Sequence, residues 1–128
     1  MVGLQEHVTT AGKTLKALEE IIVINRPNSI ERDAAIHRFE RTYLTVWQAA
    51  KQMLRHMYGI DASSPKDVIR KCREVGLFSE GEAAAAMQMV DDRNRKYDET
   101  LADETYERLS SHVFLLRLWL KRIKELAD

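Results

Sequence analysis

From Leu4 onward, apolar side chains recur at Leu4, Val8, Ala11, Leu15, Leu18 and Ile22. These alternating steps of four and three stack them on one face of an α-helix. The pattern predicts a first helix that gives way near Pro27, which has no amide hydrogen and disfavours helical geometry at Arg26. A second stripe runs through Ile36, Phe39, Tyr43, Trp47 (or Val46), Ala50, Leu54 and Met57. Asn28 and Glu31 open it with capping-box spacing, and Gly59 closes it, able to take the left-handed conformation of a helix terminus.

The segment "SSPKD" supplies Ser64 as a cap, Pro65 at a first helical position and Asp67 against the positive helix end. It starts a short third helix carrying Val68, Ile69, Cys72 and Val75, stopped by Gly76. Ser79 and Glu82 form a further capping box, followed by the helix-favouring run "EAAAAMQMVDDRN". Asp98 can cap a last helix whose stripe is Tyr106, Leu109, Val113, Leu116, Trp119, Ile123 and Leu126. The expectation is one domain over residues 1–128, an all-α antiparallel bundle of four or five helices framed by the long first, second and last ones.

The last helix carries more apolar surface than one stripe needs, in Phe114, Leu115, Leu118 and Leu120. That surplus predicts exposed surface in a monomer and a partner to cover it, either a second copy or a different protein. The run Ala83 to Ala86 allows close helix approach, but plain helix propensity accounts for it as well.

Composition narrows the class without changing the architecture. Hydrophobic residues at 45% and charged residues at 31% suit a soluble globular chain. Twenty basic residues balance twenty acidic ones, so attraction to nucleic acid or an anionic surface has to come from local patches. Cys72 is the only cysteine, which excludes an internal disulfide framework and suits a reducing compartment. The N-terminus lacks a basic head followed by an apolar run, and "VFLLRLWL" is interrupted by Arg117. A cytoplasmic location with no membrane span is expected.

Candidate chemistry concentrates in "MVDDRNRKYDET", residues 89–100. On a continuous helix Glu82, Ala86, Met89, Arg93 and Tyr97 share a face, so Arg93 emerges from a side that is apolar one turn earlier. An arginine there can lay its stem along apolar surface and present its guanidinium at the rim, where it grips a phosphate through two parallel hydrogen bonds. A salt-bridged, solvated helix terminus explains the same residues. Other templates find little support. His7, His37, His56 and His112 are scattered without zinc-binding spacing, no glycine-rich phosphate loop occurs, and no Gly-x-Ser-x-Gly elbow is present. No metal or cofactor site is expected.

Four ordered blocks, "FERTYLTVWQAAKQML", "SPKDVIRKCREVGLF", "MVDDRN" and "YDETLADETYERL", resemble the HEPN-domain proteins encoded beside minimal nucleotidyltransferases. These form the HepT toxin family, also described as nucleotidyltransferase substrate-binding proteins. The resemblance runs from about Phe39 to the end of the chain, with the first helix fitting by pattern. It implies a helical homodimer whose shared cleft carries an arginine followed, a few residues on, by a histidine. It also implies a metal-independent ribonuclease acting on tRNA or mRNA, neutralised when the nucleotidyltransferase antitoxin transfers AMP to a tyrosine just beyond that histidine. On this basis Arg93 and Asn94 correspond to the catalytic motif's start, Tyr97 to the AMP acceptor, and Arg95 and Lys96 to RNA-binding cations, with Lys66, Arg70 and Lys71 as further backbone contacts.

The chain departs from the family pattern within that motif. "RNRKY" brings the arginine and tyrosine together, and the histidine between them is missing. Cleavage through the ribose 2′-OH needs a group of near-neutral pKa, whose help is worth about 100- to 10,000-fold in rate. Arginine stabilises charge on the phosphate but stays protonated and cannot be the base. The chain is then a disarmed member, or its sequence as written omits residues, or His112 or another histidine substitutes from elsewhere in the fold. Two further possibilities stand beside the ribonuclease: a non-enzymatic docking subunit that presents Tyr97 to a small nucleotidyltransferase, and a purely structural bundle.

Overall fold

A computed structural model describes residues 3–95 and 101–127. It contains α1 (Leu4–Ile22), α2 (Ser29–Tyr58), α3 (Pro65–Glu74), α4 (Glu80–Asn94) and α5 (Ala102–Ala127), with no strand among the described residues. The starts of α2, α3 and α4 lie where the cap chemistry placed them. Asn28 Oδ1 accepts the Glu31 N–H at 2.8 Å while Glu31 Oε1 accepts the Asn28 N–H at 3.0 Å. Ser79 and Glu82 repeat the exchange at 3.2 and 2.8 Å, and Ser64 Oγ accepts the Asp67 N–H at 3.2 Å. Each exchange satisfies backbone donors that the first helical turn leaves without partners. Gly59 closes α2 at φ 66°. Before Pro27, Arg26 takes φ 55°, a left-handed turn between α1 and α2 that few non-glycine residues adopt.

Cross-helix contacts fix the directions. Thr14 meets Thr45 at 2.7 Å and Arg38 reaches the Ala17 carbonyl, so α1 and α2 are antiparallel. Arg32 pairs with Asp103 and Phe39 stacks on His112, so α2 and α5 run parallel. Glu82 pairs with Arg122 and Asp92 with His112, which sets α4 antiparallel to α5. The C-termini of α1 and α4 therefore meet the N-termini of α2 and α5 at one end of the bundle, and α3 packs across α2 and α4.

One core joins all five helices, with Leu18, Phe39, Met53, Leu54, Ile69, Met89, Leu116 and Trp119 among its fully buried side chains. Each contributes about 1.5–3 kcal/mol of burial. Val46, not Trp47, takes the fully buried place in the α2 stripe. In α4, Ala83 and Ala86 are buried while Ala84 and Ala85 face solvent, so two of the four alanines serve packing. Cys72 is wholly buried, and burial pushes its thiol up to about 12, a structural and unreactive state.

The apolar surplus on the last helix has a different outcome from the one its pattern predicted. α5 packs against α1, α2 and α4, which buries Leu115 and Leu120 and half-buries Leu118. Only Phe114 of the four stands well exposed, at 66%. No described helix is long and apolar enough to cross a membrane.

Candidate functional site

The fourth helix ends at Asn94. Arg95 returns its N–H to the Asp91 carbonyl at 3.1 Å but leaves helical geometry, with φ −64° and ψ 132°. The face shared by Ala86, Met89 and Arg93 therefore ends with α4. Met89 is fully buried, and one turn on, the Arg93 guanidinium lies over the ring of Tyr43 from α2, 5.7 Å from its centre. This is the snorkelling posture its sequence position suggested: stem on apolar surface, charge at the rim. Burial raises the Tyr43 hydroxyl above its ordinary pKa, opposed by the Arg93 charge.

Next to it in the chain, Asp92 points inward and gathers four side chains. Its Oδ1 accepts from Gln88 Nε2 at 3.2 Å, Arg95 Nη2 at 3.2 Å and Arg108 Nη1 at 3.0 Å. Its Oδ2 lies 2.9 Å from His112 Nε2. The carboxylate side chain is only 5% exposed, and Glu104 extends the network by accepting from Arg108 at 2.7 Å and pairing with Arg95 at 3.6 Å. Burial alone would raise the Asp92 pKa, but the hydrogen bonds from His112 and Gln88 and the Arg108 charge hold it below the carboxylate norm.

His112 is buried and stacks on Phe39, with ring centres 5.2 Å apart. Burial lowers its pKa despite the Asp92 hydrogen bond, helped by the Arg108 charge. At neutral pH the ring is therefore neutral and donates its Nε2 proton to the carboxylate. A general base must reach the proton it removes, within about 3 Å or through one water. His112 is turned toward Asp92 and covered, so it does not fill the place of the missing motif histidine in this arrangement.

Arg93 and Arg95 share a small cleft of about 20 Å³ with Ile36, Phe39, Glu40 and Asp92. It is of water size and holds no nucleotide. Asn94 is exposed at the last position of α4. Lys96, Tyr97 and Asp98 lie outside the described residues. The cations expected on α3 are engaged: Lys66 with Asp91 at 2.7 Å, Arg70 with Asp67 at 3.8 Å and Lys71 with Glu74 at 3.5 Å. Among the described residues no group of three His, Cys, Asp or Glu side chains is placed to hold a metal ion.

Sequence reasoning missed Asp92 as the centre of the cluster, Arg108 as its partner and Tyr43 as the platform for Arg93. One signal was present: Glu104, Arg108 and His112 follow one another at steps of four, which places them on one face of α5.

Residues 6–125 match the model of a family described as nucleotidyltransferase substrate binding protein like. Among solved structures, a protein from Thermus thermophilus is 42% identical, with 88% of this chain and 98% of that one covered and a TM-score of 0.83. A chain from a crystal structure of a toxin–antitoxin with AMP-PNP is 14% identical, with 94% and 95% covered and a TM-score of 0.77, a likeness of fold alone. No curated protein matches the chain.

Proposed function

The chain belongs to the nucleotidyltransferase substrate binding protein like family, and we propose that it is the partner of a small nucleotidyltransferase antitoxin in a toxin–antitoxin pair, in a form whose ribonuclease chemistry is disabled. The family match over residues 6–125 carries the partnership. The shared fold with a toxin–antitoxin chain crystallised with AMP-PNP supports the pairing and the choice of nucleotide. In this reading Tyr97 is the acceptor. Its hydroxyl oxygen attacks the α-phosphorus of ATP, the new O–P bond forms as the bond to pyrophosphate breaks, and the phenolic proton passes to a base of the partner enzyme, which also supplies the metal ions.

The ribonuclease half of the family's chemistry is incomplete here. Arg93, with Asn94 beside it, keeps the group that stabilises charge on a scissile phosphate of tRNA or mRNA, and two copies of the chain would bring two such arginines to one groove in a cytoplasmic homodimer. The motif histidine is missing from "RNRKY", and Asp92 holds His112. A second reading, in which His112 acts as the base, draws on its contact with the residue adjoining Arg93, but requires the Asp92 bond to open.

Intact-mass spectrometry after incubation with ATP and the cognate nucleotidyltransferase tests the proposal. The expected product carries one AMP per chain and is absent from Tyr97→Phe. An adduct that survives Tyr97→Phe rejects the acceptor, and failure to form either an adduct or a complex on gel filtration rejects the partnership. A tRNA cleavage assay on the same protein separates the two readings: inactivity is expected, and cleavage abolished by His112→Ala would favour His112 as the base.

A further inference from the structure

Between α1 and α2, apart from the α4–α5 cluster, lies a cleft of about 380 Å³ lined by Lys13, Thr14, Ala17, His37, Arg38 and Arg41. Three permanent cations and a histidine line it, and none of the lining residues is a carboxylate. In a chain with no net charge this is a local concentration of one sign. On α3, Lys66, Arg70 and Lys71 are spent on Asp91, Asp67 and Glu74, and at the end of α4 Arg95 is spent on Asp92. By contrast, Lys13 and Arg41 are exposed and pair with no carboxylate among the described residues.

Arg38 differs from both. It is half-buried, and its Nη1 donates to the Ala17 carbonyl at 2.7 Å, which fixes the guanidinium at the cleft while most of its five N–H donors stay available. A side chain already immobilised loses less entropy when it binds, and a planar fork suits the oxygens of a phosphate. Thr14, held against Thr45 at 2.7 Å, adds a hydroxyl to the lining. Asp33 and Glu40, which line the neighbouring cleft with His37, bound the positive surface on the other side of that histidine. The volume falls within the range of small-molecule sites, about 300–1,000 Å³.

We propose that this cleft binds a phosphate group, with Arg38 as the fixed bidentate donor and Lys13 and Arg41 as flanking charges. The phosphate can belong to a free nucleotide or to a single-stranded RNA, and the site stands independently of the nucleotidyltransferase partnership. Amide NMR titrations of the full chain at low salt test it with three probes: inorganic phosphate, AMP and a short single-stranded RNA. At least one probe gives saturable shifts confined to residues 13–17 and 37–41. The double variant Lys13→Gln, Arg41→Gln, built at exposed positions and checked for helicity by circular dichroism, weakens that binding about tenfold or more, the loss of two charge-assisted contacts.

Saturation by AMP with no tighter RNA binding assigns a free nucleotide. Tighter RNA binding, whose salt dependence falls by about 1.4 in log–log slope in the double variant, assigns a strand. Arg38→Lys, which keeps the charge and removes the fork, weakens binding in either case. No saturable shift with any probe, unchanged affinity in the double variant, or full affinity in Arg38→Lys overturns the proposal.

Discussion

Two arginine–carboxylate clamps tie α4 to α5, one near each end of the fourth helix, and they are built on opposite terms. Near its start, Glu82 accepts from Arg122 Nη1 at 2.6 Å while also capping the helix through the Ser79 N–H, and Arg122 donates in addition to the Leu77 carbonyl at 2.8 Å. Both charged side chains there remain about 30% exposed, at 27% and 32%. Near its end, Asp92 is 5% exposed and holds two arginines, a glutamine and a histidine. Desolvation separates the two. An exposed pair gains little because water competes for both ions, whereas a buried carboxylate is costly to leave unpartnered. The first clamp serves the fold locally; the second also decides which side chains around the polar cluster are free. It occupies Arg95, Arg108 and His112 and leaves Arg93 without an ion pair among the described residues.

The largest effect should come from removing the buried centre. Asp92→Ala leaves the buried His112 Nε2–H without its acceptor and removes the carboxylate that Gln88, Arg95 and Arg108 share, while Arg108 keeps Glu104. It is expected to destabilise by about 3 kcal/mol, the loss of hydrogen bonds to a charged group together with an unsatisfied buried donor. Urea unfolding followed by circular dichroism measures it. The contrast between the clamps collapses if Glu82→Ala costs as much.

His112 sharpens the same contrast through pH. Its pKa in the fold lies below the ordinary histidine value of about 6.5. Between those two values the unfolded chain binds more protons than the folded one, so stability rises with pH there and is lost as pH falls from neutrality through the unfolded value, levelling off below the folded pKa. Asp92 adds a separate loss at lower pH, because its depressed carboxyl contributes stability only above its own titration. His112→Gln should cost about 1–3 kcal/mol at neutral pH, for the lost buried hydrogen bond and ring stack, and should remove the first of these slopes. Denaturant midpoints across the acidic range check both; an unchanged slope would mean that another group titrates.

What could be read from the chain follows the same division. The Glu82 clamp begins with a capping box, a local arrangement legible as Ser79 and Glu82 three positions apart, and the Asn28, Ser64 and Gly59 helix ends were legible for the same reason. The stripes located the core, since each records which face of a helix meets its neighbours. Asp92 was not legible, because His112 and Arg108 lie 20 and 16 positions away and only the antiparallel packing of α4 on α5 brings them together. The excess apolar surface of α5 was visible but not its cover, because periodicity shows that a second face is greasy without showing which helix lies on it. The end of α4 could be placed only near the polar cluster, because no breaker marks it; the helix ends at Asn94, and Arg95 leaves helical geometry with its side chain drawn back to Asp92 and Glu104.

A smaller effect is expected at the exposed clamp. Glu82→Gln keeps the size of the side chain but weakens the cap and the Arg122 pair, and should cost about 1 kcal/mol. The Arg122 hydrogen bond, reinforced by the Ser79 N–H, holds the Glu82 carboxyl at about 2. Its contribution is therefore present above the ordinary glutamate range and fades as pH falls toward that value, well below the His112 window. Acid titration of the variant against the parent should differ only in that lower region.

The smallest change in stability should accompany the largest change in recognition. Arg93 is exposed, and its one described partner is the Tyr43 ring; an exposed cation–π contact is worth about 0.5–1 kcal/mol. Arg93→Ala should therefore unfold within about 1 kcal/mol of the parent, far from the Asp92→Ala result at the adjoining position. If the buried clamp leaves Arg93 free for a phosphate, the same variant should bind RNA or the nucleotidyltransferase–ATP complex more weakly, and Arg93→Lys should recover only part of the loss, because a point charge replaces a fork. Pairing the unfolding curve with a binding isotherm makes the two outcomes separable. A large loss of stability would place Arg93 with its neighbours in the structural network, and unchanged binding would remove it from the site.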